Sequence, residues 1–545
     1  VLSSTQHPTE IQHKVAEAIG LPMSGVRVEM RRMGGGFGGK ESQGNALAVA
    51  CAVAARAIGR ACKMRYDRDD DMVITGKRHD FRIDYRVAFD DAGAITGIEY
   101  VQATRCGMST DLSPAIADRA MFHADNCYYL PAVRITSYRC KTNTVSNTAF
   151  RGFGGPQGMV GMERVIDAIA HALNMDPLAV RQANFYDHML AKPAVARNLT
   201  PYFQTVDDCV IQDIVDELAQ TSGYAARRQE IRAWNAKSPV LKRGIALTPV
   251  KFGISFTNTM MNQAGALVHV YTDGSIALNH GGTEMGQGLN IKVAQVVAEE
   301  FQVDLDRVKI TATHTGKVPN TSPTAASSGS DLNGMAARNA CLAIKARLVT
   351  FLAQRYTCAE EDVVFLPNRV RAGDAVIAFD DMIGEAYRAR VHLSAAGYYA
   401  TPKIHWDRAS GRGRPFFYFA YGAAVSEVAI DTLTGENRIL RADILHDVGT
   451  SLNPVIDLGQ IEGGRQDVPV LLQHHQGMPA ELLRLLAHLG KALHILRVNR
   501  SFTQITDSPI RNSPSTRRMP AGSRLRPRSE SARTAPASIA SGCPS

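Results

Sequence analysis

The chain has 545 residues, 45% of them hydrophobic and 21% charged, enough for two or three domains around sizeable cores. Its formal charge of +9 is local: residues 465–545 carry 12 Lys and Arg against 4 Asp and Glu, so the body is nearly neutral and a nucleic-acid partner is not expected. The longest apolar run, Ala46 to Ala55, falls well short of the roughly 20 residues of a membrane span, and nine cysteines without a C-x-x-C pair read as reduced cytoplasmic thiols.

The chain opens at Val1 with sequence that reads as mid-domain, so its N-terminus is expected to be an internal cut. Pro8 to Ile19 reads as a helix, with proline in its first turn and Gly20 at its end. A strand at Val26 to Met30 leads into the glycine loop Arg32-Met33-Gly34-Gly35-Gly36-Phe37-Gly38-Gly39-Lys40-Glu41, and Gln43 to Ile58 reads as a second helix. Phe81 to Phe89 and Ile95 to Ala103 form a hairpin pattern around Asp90-Asp91-Ala92-Gly93. A second glycine loop, Phe150-Arg151-Gly152-Phe153-Gly154-Gly155-Pro156-Gln157-Gly158, precedes apolar residues at helical spacing from Val165 to Leu173.

The more polar stretch at 191–241 reads as a linker between a first lobe at 1–190 and a second at 242–464. The second lobe has hairpin patterns at Leu267 to Leu278 and around Thr434-Gly435, with helices near Ile291 to Phe301 and Gly334 to Ala353. From 465 the alternation is lost and from about Ser501 the sequence becomes rich in Ser, Arg, Pro and Thr, as in disordered segments. The pattern predicts an α+β (mixed α/β) fold of two lobes, hairpin sheets and helices, enclosing a cleft faced by glycine loops from both.

Glycine admits positive φ and close backbone approach, so such loops build amide nests for oxyanions, while an interposed Phe gives a flat apolar wall. Gly34, Gly36 and Gly39 formally satisfy G-x-G-x-x-G, yet no acidic residue follows at the dinucleotide spacing, and Glu41 stands where a P-loop needs Ser or Thr. On residues alone, a purely structural glycine turn remains the alternative. Two further loops repeat the theme: Gly281-Gly282-Thr283-Glu284-Met285-Gly286-Gln287-Gly288 and Thr321-Ser322-Pro323-Thr324-Ala325-Ala326-Ser327-Ser328-Gly329. Together the four could ring a polar heterocycle with amides and hydroxyls.

The stretches Arg32 to Glu41, Lys141 to Met159, Lys251 to Thr257, His280 to Leu289, Val318 to Gly334 and Asp447 to Gly464 closely resemble the molybdenum-binding portion of the molybdenum hydroxylase family, which includes the xanthine dehydrogenases and aldehyde oxidases. The resemblance implies a molybdopterin (Mo-pyranopterin) held by Gln6, Phe37, Gly38, Arg151, Gln287, Ala325, Ala326 and Ser327. Gln6, Phe37, Arg151 and Ala326 would surround the molybdenum without ligating it. It implies a purine clamped by Phe153 and Phe256, with Glu41 and Arg119 at its two ends and Thr257 beside Arg119; Gln6, Glu41 and Arg119 would take the catalytic roles.

Aldehyde oxidases typically lack this Glu and Arg pair, so hypoxanthine and xanthine are the expected substrates, hydroxylated to urate with water as oxygen source; an aldehyde oxidase-like enzyme is the rival reading. Electrons would leave to 2Fe-2S and FAD centres on a partner subunit or on missing domains, in an oligomer of the cytoplasm. The family's general base, a glutamate in a Gly-Glu sequence downstream of Gly464, has no match, because Glu481 and Glu530 follow Ala480 and Ser529. The chain as written is therefore expected to be inactive, with a dead polypeptide that at most binds cofactor or partner as a competing reading; because the resemblance stops abruptly inside Gln460 to Gly464, the tail is expected to be a frameshifted translation, a genuine extension being the alternative.

Overall fold

The computed structural model describes residues 1–463 and 537–541, and within them helices and strands mix as the α+β pattern predicts. Pro8–Ile19 is helical to the residue, ending on Gly20 at φ +63°, where a residue with a Cβ would be strained. The hairpin Phe81–Phe89 and Ile95–Gly107 forms in antiparallel register.

Ile95–Gly107 pairs on its other side, in parallel, with Val133–Lys141. A parallel pair needs a crossover between its strands, and here the crossover contains the helix Ser113–Phe122. That helix is buried at Ser113 and at every position from Ile116 to Phe122, which is how Arg119 enters the interior.

A second sheet joins Leu241–Ile254, Tyr418–Asp431 and Asn437–His446 in antiparallel order. A third joins Ser394–Ala400, Gln263–Val270, Ile276–His280 and Val308–Ile310. Along Gln263–Val270 burial strictly alternates, placing Ala264, Ala266, Val268 and Val270 under the helix Gly329–Tyr356. The helix backbone approaches so closely that a Cβ on Gly397 would lie 2.0 Å from Ala336 O.

The buried clusters divide the chain differently from the expected lobes. One core joins the first and second sheets and includes Ile135, Val165, Leu218, Leu247, Tyr421, Val425 and Leu445. Another fills the space between the third sheet and helices Leu289–Phe301, Gly329–Tyr356 and Phe379–Arg388. The strands at 241–254 and 418–446 thus pack with the first half of the chain, because 241–254 pairs with 418–431 across a long sequence gap.

The expected linker is also structured. Ile211–Thr221 and Tyr224–Lys237 are helices, and Ile211, Ile214, Val215 and Leu218 are buried at the i, i+3, i+4, i+7 spacing of an amphipathic face. Arg227 binds Glu427 at 2.7 Å and Asp443 at 2.8 Å, tying the second helix to the second sheet. The expected disordered tail lies outside the described residues except for Ala537–Ser541, a strand antiparallel to Val133–Lys141.

Candidate functional site

The four loops meet, and Gln6 joins two of them. This side chain is 3% exposed. Its Oε1 accepts from the amides of Gly38 at 2.9 Å and Lys40 at 3.3 Å, and its Nε2 donates to Thr324 O at 3.0 Å. Its own backbone adds bonds with Lys40 O and Thr324 N, at 2.8 and 2.9 Å.

The second glycine loop docks against the first through Arg151 N to Phe37 O, 2.7 Å. A Cβ on Gly38 would stand 2.9 Å from the Ala149 carbonyl carbon, so glycine is required there by contact as well as by its φ of +92°. Met33 N to Glu284 O at 3.2 Å and Thr283 N to Thr324 Oγ1 at 2.8 Å complete the ring.

Non-glycine residues in the left-handed region recur in these loops: Phe37 at +51°, Phe153 at +52°, Ala326 at +56° and Ser327 at +57°. Such backbone is costly and persists where surrounding contacts hold it. Phe37 is 61% exposed, and Arg151 is exposed too; Arg151 O accepts from Arg78, whose guanidinium also lies over the Phe150 ring at 4.4 Å. Gln287 turns back on its own loop, accepting from Met285 N and donating to Thr283 O.

The Glu284 carboxylate is consumed by the amides of Gly286, Gly288 and Asn290 at 2.9 to 3.1 Å. It caps the start of helix Leu289–Phe301.

The loop cluster fits a large polar, anionic cofactor. Its lining is rich in amides and hydroxyls, and its carboxylate is already bound. Thr283 Oγ1 and Asn333 Oδ1 are buried beside it with no hydrogen-bond partner, a condition proteins rarely leave unmet. Among the described residues, no group of three or more His, Cys, Asp or Glu is placed to hold a metal ion.

Beneath the loops lies a charged floor. Arg119, 2% exposed, donates from Nη1 to Gly253 O at 3.2 Å and from Nη2 to Ser255 O. Its guanidinium sits between the rings of Phe252 and Phe416, at 5.0 and 5.2 Å. Burial lowers its pKa to about 10, so it stays a cation at neutral pH.

His123 lies one turn on, its Nδ1 2.9 Å from Arg119 O and its Nε2 accepting from Gly253 N at 3.1 Å. These partners assign the proton to Nδ1. Burial first, then Arg119 and Lys251, hold its pKa well below the ordinary value, so His123 is neutral.

Glu41 faces this cation from the end of the first glycine loop. It is 6% exposed, and burial, reinforced by Asp111 and opposed by Arg119, raises its pKa to about 8. Glu41 is thus largely protonated at pH 7.

Phe153 and Phe256 come from segments that both touch the Arg119 helix. A Cβ on Gly154, next to Phe153, would meet Ile116 O at 2.1 Å; Thr257, next to Phe256, donates from Oγ1 to Ala115 O at 3.4 Å. Phe256 is fixed by Asn262, which accepts from its N at 2.7 Å and donates to its O at 3.0 Å.

The expected residues therefore gather around one cluster, with Gln287 directed into its own loop. Sequence reasoning missed Asp111, His123 and Trp406. His123 was findable as the i+4 neighbour of Arg119 on a helix, whereas Trp406, which donates from Nε1 to Thr257 O at 2.5 Å, lies outside every motif.

Comparison with known proteins matches both halves of the chain. The pattern of a molybdopterin cofactor-binding domain matches residues 1–185, and a second pattern of the same description matches 217–466. The chain is 45% identical over 463 residues to xanthine dehydrogenase 1 of Arabidopsis thaliana, and 44% identical over 460 residues to xanthine dehydrogenase/oxidase of Mus musculus. These matches cover 85% and 84% of this chain but 32% of each relative, so the chain spans about a third of their length.

Among solved structures, quinoline 2-oxidoreductase from Pseudomonas putida 86 superposes with a TM-score of 0.74 at 21% identity, over 88% of this chain and 65% of that one. The aldehyde oxidoreductase from Desulfovibrio desulfuricans gives 0.71 at 23%, over 85% and 47%. At these identities the likeness speaks for the fold. Among the described residues, no helix is long and apolar enough to cross a membrane.

Proposed function

We propose, from the premise that this chain belongs to the molybdenum hydroxylase family and is of the xanthine dehydrogenase type, that it forms the molybdopterin-binding and purine-binding part of a cytoplasmic oxidoreductase acting on hypoxanthine and xanthine. The observation that carries the reading is the pairing of buried Glu41 with buried Arg119 beneath the loop cluster, each in the other's field. An aldehyde needs no such pair; a flat heterocycle with polar groups at both ends does.

Gln6, Phe37, Gly38, Arg151, Gln287 and the 325–327 stretch would hold the cofactor. When bound, a molybdopterin supplies the two-electron oxidation that lets water serve as oxygen source. Phe153 and Phe256 would fix the plane of the purine between them. Glu41, protonated at neutral pH, can donate a hydrogen bond to one end of the ring, and Arg119 can meet negative charge gathering at the other. Thr257 would hold the same end as Arg119.

The electrons would pass to 2Fe-2S and FAD centres on a partner subunit or on further domains of a longer protein, within an oligomer. The family's Gly-Glu base is not matched at Glu481 or Glu530, and loss of a positioned base costs roughly 10² to 10⁴ in rate. We therefore read residues 1–464 as binding-competent, the chain as written as inactive for want of that base, and the sequence after 464 as a shifted reading frame.

The test is selectivity. In a chain extended with the downstream segment of a relative and assayed with a dye as electron acceptor, Glu41→Ala with Arg119→Met should abolish urate formation while sparing benzaldehyde oxidation. Equal loss on both substrates would exclude the purine assignment.

A further inference from the structure

We propose that the hairpin His405–Asp407 and Arg412–Arg414 is a brace for the purine end of the site, and that Trp406 is its positioning residue. The inference rests on the function proposed above and deepens it. The hairpin lies outside every glycine loop and is joined to the pocket by contacts from three of its residues.

Trp406 donates its indole N–H to Thr257 O at 2.5 Å, and its ring meets Phe122 edge-on at 5.0 Å. It thereby touches both the segment carrying Phe256 and Thr257 and the helix carrying Arg119. Arg408 reaches Asp118 Oδ2 at 2.7 Å, one residue before Arg119. On the return strand Gly413 N donates to Tyr202 O at 2.9 Å, and Tyr202 packs edge-on against Phe122 at 4.9 Å.

The hairpin has almost no freedom to sit elsewhere. Trp406 pairs with Gly413, where φ is +144° and a Cβ would meet His405 O at 2.4 Å and Trp406 Cα at 2.5 Å. Only glycine lets the two strands close at that point.

Thr257 is held at two points, its carbonyl by the indole and its hydroxyl by Ala115 O on the Arg119 helix. Arg119 likewise cannot shift without moving Phe122, Asp118 and the rings around them. Misplacing such groups by a fraction of an ångström weakens a pocket that depends on several simultaneous contacts. The brace acts on ligands that reach Thr257 and Arg119, and not on the loop cluster.

The experiment uses the full chain and hypoxanthine as probe, with binding measured by equilibrium dialysis well below the unfolding temperature. Trp406→Phe keeps a ring and removes the donor; Gly413→Ala keeps Trp406 and displaces the hairpin. Both should raise the hypoxanthine dissociation constant about three- to tenfold, the scale of one hydrogen bond, with the folded fraction unchanged by circular dichroism.

A spectroscopic readout separates positioning from general support. In a Trp234→Phe background, Trp406 is the remaining tryptophan before and after the site, since the chain has two. Hypoxanthine should change its emission with the dissociation constant found by dialysis, and that change should vanish with Glu41→Ala. Unaltered hypoxanthine affinity in both hairpin variants, while Arg119→Met loses it, would overturn the brace and leave the purine reading standing. Absence of hypoxanthine binding by the unaltered chain would overturn both.

Discussion

Glu41 holds a proton that its unfolded counterpart has released. With a folded pKa raised from 4.5 to about 8 by burial, the folded state binds the extra proton between those values. Its contribution to stability is therefore fully present below pH 4.5 and is lost as pH rises through 8, by at most ~5 kcal/mol. Glu41→Gln should flatten this limb, so that the urea midpoint falls less between pH 5 and pH 9 than in the unaltered chain. Parallel declines would mean that Glu41 is not the group responsible. His123 works on the opposite limb, because its lowered pKa makes folded stability fall as pH drops below 6.5. Its imidazole ¹⁵N shifts should stay those of the neutral Nδ1–H tautomer as pH falls through 6.5, and titration near 6.5 would contradict the pairing with Arg119 O and Gly253 N.

The elements that hold these residues were unequally legible. Glycine loops announce themselves by composition, and Gly38 and Gly154 do sit where a side chain would strike neighbouring backbone. The burial of the helix around Arg119 was not visible in the same way, since on its residues alone Arg119 reads as a surface helix position. Its residues carry little amphipathic contrast because it is buried nearly all round, and a crossover between parallel strands has no local signature. The helix Ile211–Thr221 failed for another reason: its apolar residues were correctly spaced, but the polar ones between them made the window read as linker. Gln6 shows how a single side chain can couple elements far apart in sequence. Gln6→Leu would leave the amides of Gly38 and Lys40 and the carbonyl of Thr324 short of a partner, at a cost of about 1–3 kcal/mol each where burial is complete. Amide exchange should accelerate at Gly38 and Lys40, with exchange inside helix Gly329–Tyr356 unchanged. Uniform acceleration across the chain would point to global destabilisation instead of loosened loops.

At the scale of the molecule, the described fold matches about a third of the length of the xanthine dehydrogenases it resembles. The long-range pairing of 241–254 with 418–431 closes the first core, and strand order of that kind cannot be read from local pattern. The same closure means that the loops and the Arg119 floor are built from residues before 464. Helix Pro454–Gly463 adds Ile456, placed so that a Cβ on Gly288 would meet its Cγ2 at 2.6 Å, and Lys292 binds Asp457 at 2.5 Å. Cofactor and purine binding should accordingly belong to these residues, while turnover should require the family's Gly-Glu base. Replacing everything after Glu462 with the downstream segment of a relative, including its Gly-Glu, should raise urate formation by about 10² to 10⁴ at an unchanged molybdenum-to-protein ratio. The same splice with Gln in place of that glutamate should bind molybdenum equally and return the rate to the starting level. Were the Gln splice as fast as the Glu splice, the gain would come from added packing around the site, and that glutamate would not be the base.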